Sequence, residues 1–143
     1  MNNKLPLAPY VLLALAMIGL GDTLFLSYYQ YLNLIPTCAI GGCEQVLTSV
    51  YSKFFGVPLS YIGLVYYAYL LCLSVLIIIE PRSWALRFGA LVYTGIGLAL
   101  SIYFEGYIQA YLIGAICMYC AISATTTLLS FGTSMWHWRS SRQ

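Results

Sequence analysis

The stretch from Pro58 to Ile79 reads PLSYIGLVYYAYLLCLSVLIII and contains no charged residue. It is as long as the roughly 20 residues that an α-helix needs to cross the hydrocarbon core of a bilayer. The rest of the chain has the same character, because 62% of its 143 residues are hydrophobic and 7% are charged. Soluble domains carry roughly a quarter charged residues. The composition therefore indicates an integral membrane protein.

Three further apolar segments have a comparable length, which predicts four membrane-spanning helices in a single domain covering residues 1–143. The four predicted spans are Tyr10–Tyr31, Pro58–Ile79, Trp84–Tyr103 and Tyr111–Trp136. The first is too long for a cleaved signal peptide and has no small-x-small cleavage site, so we expect it to remain as a span. The predicted fold class is an all-α, four-helix membrane bundle with an outer loop, residues 35–57, between the first two helices.

Basic residues near the span ends predict the orientation of the chain, because Lys and Arg close to a span are retained in the cytoplasm. If both termini are cytoplasmic, the basic residues on that side are Lys4, Arg82, Arg87, Arg139 and Arg142, and only Lys53 lies outside. The extracytoplasmic face then carries the 35–57 loop, a short turn around Glu105 and Gly106, and the start of the fourth helix. We expect a multi-pass protein of the cell membrane with too few basic residues to bind nucleic acid.

Four of the five cysteines fall on the predicted extracytoplasmic face, where disulfides form and persist. Cys117 and Cys120 form a CxxC motif in the first turns of the fourth span, where the helix dipole and unpaired backbone N–H groups favour a thiolate. Cys38 and Cys43 enclose the flexible sequence Ala-Ile-Gly-Gly in the loop, which can close its own disulfide or present a sulfur elsewhere. The two pairs suggest a relay of thiol–disulfide exchange, and Cys72, inside the second span, is assigned to packing.

Other interpretations of the cysteines stay open. Structural disulfides would staple the outer loop of a noncatalytic membrane protein, such as a small transporter subunit or an assembly factor. A four-cysteine zinc site is disfavoured because the loop has no His and little else from which to build a zinc module, so we expect no metal. Transfer of haem or a metal would require a bound metal in the purified protein.

Several segments resemble the vitamin K epoxide reductase-like quinone oxidoreductases, in particular their bacterial and archaeal members. These segments are Gly21–Tyr29, the loop pair Cys38 and Cys43 with Ser49 six residues further on, Phe55–Gly63, and the pair Cys117 and Cys120. The order of the pairs, with the loop pair first and the helix pair last, is specific to the pattern of this family. The similarity covers nearly the whole chain.

The resemblance implies a bundle that surrounds a quinone, such as ubiquinone or menaquinone, which accepts electrons from thiols. Cys38 would form a mixed disulfide with an extracytoplasmic thioredoxin-fold partner, and Cys43 would exchange with Cys117. Cys120 would then meet the quinone, so that each step trades one disulfide for another and the quinone removes two electrons at the end. The resemblance thus predicts a membrane thiol:quinone oxidoreductase that supports protein disulfide bond formation.

The resemblance also concerns the quinone site and the partner. It places the hydroxyl of Ser49 near a quinone carbonyl, to which it can donate a hydrogen bond, whereas a cap or turn serine needs no ligand. Vertebrate members carry an Asn and a Tyr that bind vitamin K where this chain has Leu59 and Ala124, which disfavours epoxide reduction and favours a respiratory quinone. Because the chain stops at Gln143, we expect the thioredoxin-fold partner to be a separate polypeptide rather than a fused domain.

Asp22 is the one acidic residue inside a predicted span, and ionisable groups at such depth usually have a function. It can line the quinone cavity, handle a proton, or pair with a backbone or tyrosine group for packing. His137 stands between two tryptophans at the cytoplasmic end and is interpreted as an interfacial residue.

Overall fold

The computed structural model describes residues 7–35, 37, 44–45, 48–50 and 53–142. Four α-helices lie in this described part: α1 (Leu7–Tyr31), α2 (Leu59–Ile79), α3 (Trp84–Ser101) and α4 (Met118–Arg142). A π-helical segment (Ile102–Ile113) continues α3. A short antiparallel ribbon, β1 (Lys53–Phe54) and β2 (Val57–Pro58), precedes α2 and pairs Phe54 with Val57. Its two turn residues, Phe55 and Gly56, both have a positive φ, as a two-residue hairpin turn of type I′ requires.

Three of the described helical segments are long and apolar enough to cross a membrane. They are Leu7–Tyr31, Leu59–Ile79 and Trp84–Ile113, the last comprising α3 and the π-helical segment. Large apolar side chains on their outer faces are exposed, for example Leu24 (56%), Val65 (70%) and Ile96 (57%). An apolar outer surface on a helix suits contact with lipid tails rather than with water.

The third helical segment extends further than the sequence predicted. The predicted span ends at Tyr103 and is followed by a turn at Glu105 and Gly106, but the structure continues the helix through both residues to Ile113. No proline interrupts this stretch. The helix ends instead at Gly114, which adopts φ 75° and donates its N–H to the carbonyl of Gln109 (2.8 Å).

The fourth helix consequently begins at Met118 rather than at Tyr111. It contains many serines and threonines, and it is not among the three described segments that are apolar enough to span a membrane. Several of its hydroxyls donate to the carbonyl four residues earlier, for example Thr126 to Ile122 (2.8 Å) and Ser130 to Thr126 (2.8 Å). These bonds satisfy the hydroxyls within the helix itself.

The core lies where α1 packs against α2 and α4, while α3 packs against α4 and, less extensively, against α2. Its buried cluster is apolar and consists mainly of Leu12, Ala16, Tyr67, Leu70, Leu73 and Ile77. Two glycines permit the closest approaches between helices. A Cβ atom at Gly19 would overlap the ring of Tyr67, and one at Gly97 would overlap the hydroxyl end of Tyr66.

The two ends of the helical assembly differ in chemistry. The rings of Trp84 in α3 and Trp138 in α4 lie 5.8 Å apart, which brings the start of α3 beside the end of α4. This end also carries four arginines and is called the basic end: Arg82, Arg87, Arg139 and Arg142. Cys120 lies at the start of α4, and the helix that separates it from the basic end is roughly 35 Å long.

The close contact between Gly19 and Tyr67 predicts a destabilising effect of a single methyl group. We expect Gly19→Ala to lower the free energy of unfolding by about 1–3 kcal/mol, because the added Cβ must displace a ring that is fully buried. Thermal unfolding in detergent measures this effect.

Gly21→Ala is the matched control on the same helix, because a Cβ there meets no atom within 4 Å. We expect this variant to be as stable as the parent or slightly more stable, since Ala favours helix more than Gly does. Equal stability of the two alanine variants would contradict the proposed packing.

Candidate functional site

A cavity of about 170 Å³ lies between the helices and receives side chains from α1, α2, α3, the π-helical segment and α4. Part of its wall is apolar and includes Leu26, Leu59, Ile62, Leu100, Phe104 and Ala124. Another part is polar and includes Asp22, Gln30, Tyr66, Glu105, Gln109 and Cys120. An apolar cavity with a few convergent polar groups is typical of a site for a small organic ligand.

Cys117 and Cys120 occupy different positions relative to this cavity. Cys117 precedes the first residue of α4, and its carbonyl accepts the N–H of Ala121 (3.0 Å), so Cys117 stands at the N-cap of the helix. Its side chain is fully buried. Cys120 lies in the first turn of α4 and lines the cavity. The sequence prediction that the CxxC motif opens the fourth helix is confirmed, with the helix start shifted to Met118.

The two sulfurs are in hydrogen-bond contact as thiols, and this contact sets the character of Cys117. The S–H of Cys120 donates to the sulfur of Cys117, which lowers the pKa of the Cys117 thiol to about 6. Burial opposes this effect, and the backbone N–H groups of Cys120 and Tyr119 add to it. Donors at the start of a helix stabilise a thiolate, which is the nucleophilic form of cysteine.

Gln109, in the last turns of the π-helical segment, holds the chain around the two cysteines. Its backbone carbonyl accepts the N–H groups of Gly114 (2.8 Å) and Ala115 (3.1 Å), and its side-chain oxygen accepts the N–H of Cys117 (3.1 Å). Its side chain also bonds to the side chain of Cys120. Gln109 is only 3% exposed. Gln109 therefore links the segment that precedes α4 to both cysteines of the CxxC motif.

Two carboxylic acids line the cavity. Asp22 reaches it from α1 and Glu105 from the π-helical segment. One carboxylate oxygen of Asp22, Oδ2, is buried and has no hydrogen-bond partner among the described residues. Of the roles that the sequence left open for Asp22, the structure supports a position on the cavity wall. Glu105 was assigned to an outer turn, and this assignment was wrong because the helix continues through that position.

Glu105 and Gln109 are site residues that the sequence interpretation missed. Both are polar residues in an otherwise apolar stretch, four positions apart, shortly before the CxxC motif. Residues four apart lie on about the same side of a helix. Helical continuation of the third span would have placed both on one face and identified them as a pair.

Leu59 and Ala124, the two positions compared with the vitamin K ligands of the vertebrate enzymes, both lie on the cavity wall. Neither side chain has a hydrogen-bonding group. The wall is therefore apolar at both positions.

The loop residues of the predicted relay are only partly covered by the structure. Cys38 and Cys43 lie outside the described residues. Ser49 is half-buried and is not among the described residues that line the cavity, so its role as a ligand stays a prediction. Thr37, which precedes Cys38 in the sequence, accepts a hydrogen bond from the hydroxyl of Tyr119 (3.0 Å). The described part of the loop thus contacts the CxxC motif.

Cys72 lies within α2, as predicted, and its side chain is exposed on that helix rather than packed in the buried cluster. Within the described ranges, no group of three or more His, Cys, Asp or Glu residues is arranged to hold a metal ion. A zinc site built from both cysteine pairs would include Cys38 and Cys43 and so extends beyond these ranges.

Comparison with known proteins relates this site to a family. The model of the vitamin K epoxide reductase family matches residues 10–135. The thiol-disulfide oxidoreductase LTO1 of Arabidopsis thaliana is 34% identical over 125 residues, which cover 80% of this chain and 32% of that relative. The chain therefore spans about a third of the length of this curated relative.

The hydrogen bond from Cys120 predicts how the reactivity of Cys117 depends on pH. Because the pKa of Cys117 is lowered to about 6, the thiol is protonated below that pH and is mostly thiolate above it. We expect alkylation of Cys117 in the reduced protein to rise around pH 6 and then to level off. Mass spectrometry after timed alkylation measures the profile.

Cys120→Ala removes the donor and should move the midpoint for Cys117 upward, towards the ordinary value of 9.0. Cys72→Ala is the matched control, since Cys72 is a distant, exposed cysteine, and it should leave the midpoint unchanged. A midpoint that stays near 6 in Cys120→Ala would show that the donor is not Cys120.

Proposed function

Because the chain belongs to the vitamin K epoxide reductase family, we propose that it is a membrane thiol:quinone oxidoreductase that supports protein disulfide bond formation. It takes electrons from a dithiol outside the cytoplasm and delivers them to a quinone in the membrane. The observation that carries this proposal is the position of Cys120, which belongs to a CxxC motif and at the same time lines a cavity between membrane helices.

The cavity suits a quinone in shape and chemistry. A quinone ring is flat and mostly apolar, and its two carbonyl oxygens accept hydrogen bonds. The apolar wall can hold the ring, while the hydroxyl of Tyr66 and the thiol of Cys120 are donors on the same wall. Because quinones dissolve in lipid, a cavity among membrane helices lies at the depth where they are found.

The electrons follow the order of the cysteine pairs. A thioredoxin-fold partner forms a mixed disulfide with Cys38, Cys43 exchanges with Cys117, and Cys120 reacts at the quinone. The lowered pKa of Cys117 suits this scheme, since a thiolate is the attacking species in disulfide exchange. The hydrogen bond between Thr37 and Tyr119 supports the approach of the loop to the CxxC motif.

The membrane arrangement is also part of the proposal. We infer that α4 is a fourth span that completes the bundle, because several of its hydroxyls are bonded to its own backbone and so cost little in an apolar environment. The basic end faces the cytoplasm together with both termini, and the cysteine pairs lie on the extracytoplasmic side.

The proposed acceptor is a respiratory quinone, ubiquinone or menaquinone. The apolar side chains of Leu59 and Ala124 on the cavity wall favour this class over vitamin K epoxide, which the vertebrate enzymes bind through polar groups at those positions. Ser49 is proposed as a further donor to a quinone carbonyl.

Anaerobic quinone reduction by the purified protein in detergent, driven by dithiothreitol, tests the proposal. We expect the parent chain to form quinol, and both Cys117→Ala and Cys120→Ala to lose this activity, because each removes one sulfur of the disulfide that must form. Cys72→Ala is the matched control and should retain full activity. A folded parent protein that reduces none of several quinones would favour structural disulfides in a noncatalytic membrane protein.

In the proposed scheme Cys38 reacts only with the protein partner, so its loss should affect turnover with that partner more than turnover with dithiothreitol. Cys38→Ser should abolish turnover with a reduced thioredoxin-fold protein but leave part of the activity with dithiothreitol, since a small dithiol that enters the cavity can reach Cys120 without the loop. Quinol formation measured with each donor in turn separates the two cases. Equal loss with both donors would contradict the assignment of Cys38 to the partner.

A further inference from the structure

We propose that Asp22 is a catalytic residue of quinone reduction, which accepts a proton from the dithiol of Cys117 and Cys120 and donates it to an oxygen of the quinone. This inference rests on the proposed function and adds the route of the protons to the route of the electrons. It follows from the position of Asp22 and from the hydrogen bonds of its neighbours.

Asp22 and the CxxC motif lie at the same cavity although they belong to different helices. Asp22 lines it from α1, and Cys120 lines it from α4. The carboxyl group of Asp22 is also close enough to Cys117 and to Tyr67 to interact electrostatically with both. A ligand in the cavity would therefore lie beside the side chains of both Asp22 and Cys120.

The hydroxyl groups around Asp22 are already used. Thr23, its neighbour in sequence, donates to the carbonyl of Gly19 (2.9 Å). Tyr67 donates to the carbonyl of Ser123 (2.7 Å), and its oxygen also lies 2.9 Å from the hydroxyl of Thr127. These bonds hold the two hydroxyls in place and turn them away from Asp22, so its Oδ2 has no partner in the described part of the chain.

A second cavity residue has a polar atom in the same condition. The hydroxyl of Tyr66 is buried and also lacks a hydrogen-bond partner among the described residues. It lies against Gly97, where any side chain would collide with it. A quinone has two oxygens that need donors, and these two groups, the hydroxyl of Tyr66 and the carboxyl of Asp22, remain available at the wall.

An acid at this position costs free energy, which suggests that it has a function. A carboxylate buried without a cation or a hydrogen bond costs several kcal/mol, and an apolar residue or an amide would avoid much of that cost. A carboxyl group that exchanges a proton during each reaction cycle explains why an acid is present.

The reaction requires such a group because protons and electrons must both be transferred. Starting from the fully protonated dithiol, two S–H bonds break, one S–S bond forms, and the two electrons released reduce the quinone to a quinol with two new O–H bonds. The thiols lose two protons and the quinol gains two, so the balance is closed without another reactant. Asp22 receives one of these protons and returns to its starting state when it passes the proton to the quinone oxygen.

Other titratable groups face the same space from each neighbouring element. They are Tyr66 and Tyr67 of α2, Glu105 of the π-helical segment and Cys120 of α4. Cys117 does not line the cavity but interacts electrostatically with Asp22. Glu105 is the competing candidate, since it lines the cavity and interacts with both cysteines. Asp22 is favoured because its Oδ2 is buried without a hydrogen-bond partner, and Glu105 is not among the described residues that have such an atom.

Asp22→Asn tests the inference with nearly unchanged volume. The protein is reduced with dithiothreitol, freed of reductant and mixed anaerobically with ubiquinone or menaquinone analogues, and quinol formation is followed. We expect the maximal rate to fall about 100-fold, a typical loss for a general acid, with KM changed less than about threefold.

Asp22→Glu should recover part of the rate with a shifted pH profile. Glu80→Gln, an exposed acid-to-amide change at the opposite end, should match the parent.

A second measurement follows reduction of the Cys117–Cys120 disulfide by dithiothreitol without quinone, which should proceed in Asp22→Asn as in the parent.

An unchanged maximal rate and pH profile in Asp22→Asn would overturn the inference while leaving the proposed function intact, as would a rise in KM alone. A large loss in Glu105→Gln but none in Asp22→Asn would also overturn it. If Asp22→Asn does not fold, the pH profile of Asp22→Glu decides, because an unshifted profile overturns the inference. A parent that exchanges disulfides but reduces no quinone would reject the proposed function itself.

Discussion

The geometry of the site depends on the side chain of Tyr67. Its ring lies against α1 at Gly19, where the absence of a Cβ leaves room for it, and its hydroxyl donates to the carbonyl of Ser123 in α4. One residue of α2 thus fixes the distances to two other helices. Ser123 follows Cys120 by about one helical turn, so the contact also determines how deep Cys120 lies in the cavity. Any change that moves this ring would move the reactive sulfur with it.

Hydrogen bonds within single helices explain how polar residues can be placed in this apolar assembly. Serine and threonine hydroxyls in α4 donate to the preceding turn, as Thr125 does to Ala121 and Thr133 to Leu129, both at 2.8 Å. Such bonds remove the main cost of a hydroxyl group in lipid or in a protein interior. Against this background a buried polar atom without a partner is conspicuous. At the cavity, within the described ranges, the two such atoms belong to Asp22 and Tyr66.

Hydropathy predicted the first two helices to within a few residues and placed the CxxC motif at the start of the last helix, because a long apolar segment has few alternatives to a helix in a membrane. It could not locate the end of the third helix. Glu105 and Gly106 resemble a turn by composition, but the break occurs at Gly114, where the backbone adopts a positive φ. Backbone conformation of this kind depends on the contacts of Gln109, which only the folded chain reveals. The polar wall of the cavity was missed for the same reason.

The different environments of Cys117 and Cys120 provide a physical basis for the proposed order of electron transfer. Cys117, at the N-cap of α4, accepts hydrogen bonds that favour its thiolate, whereas Cys120 opens into the cavity. Disulfide exchange needs a thiolate near other thiols, and quinone reduction needs a sulfur in a compartment that a lipid-soluble molecule can enter. One helical turn separates the two sulfurs, so they can form a disulfide with each other while each remains in its own environment. Gln109 is bonded to both cysteines and maintains this arrangement.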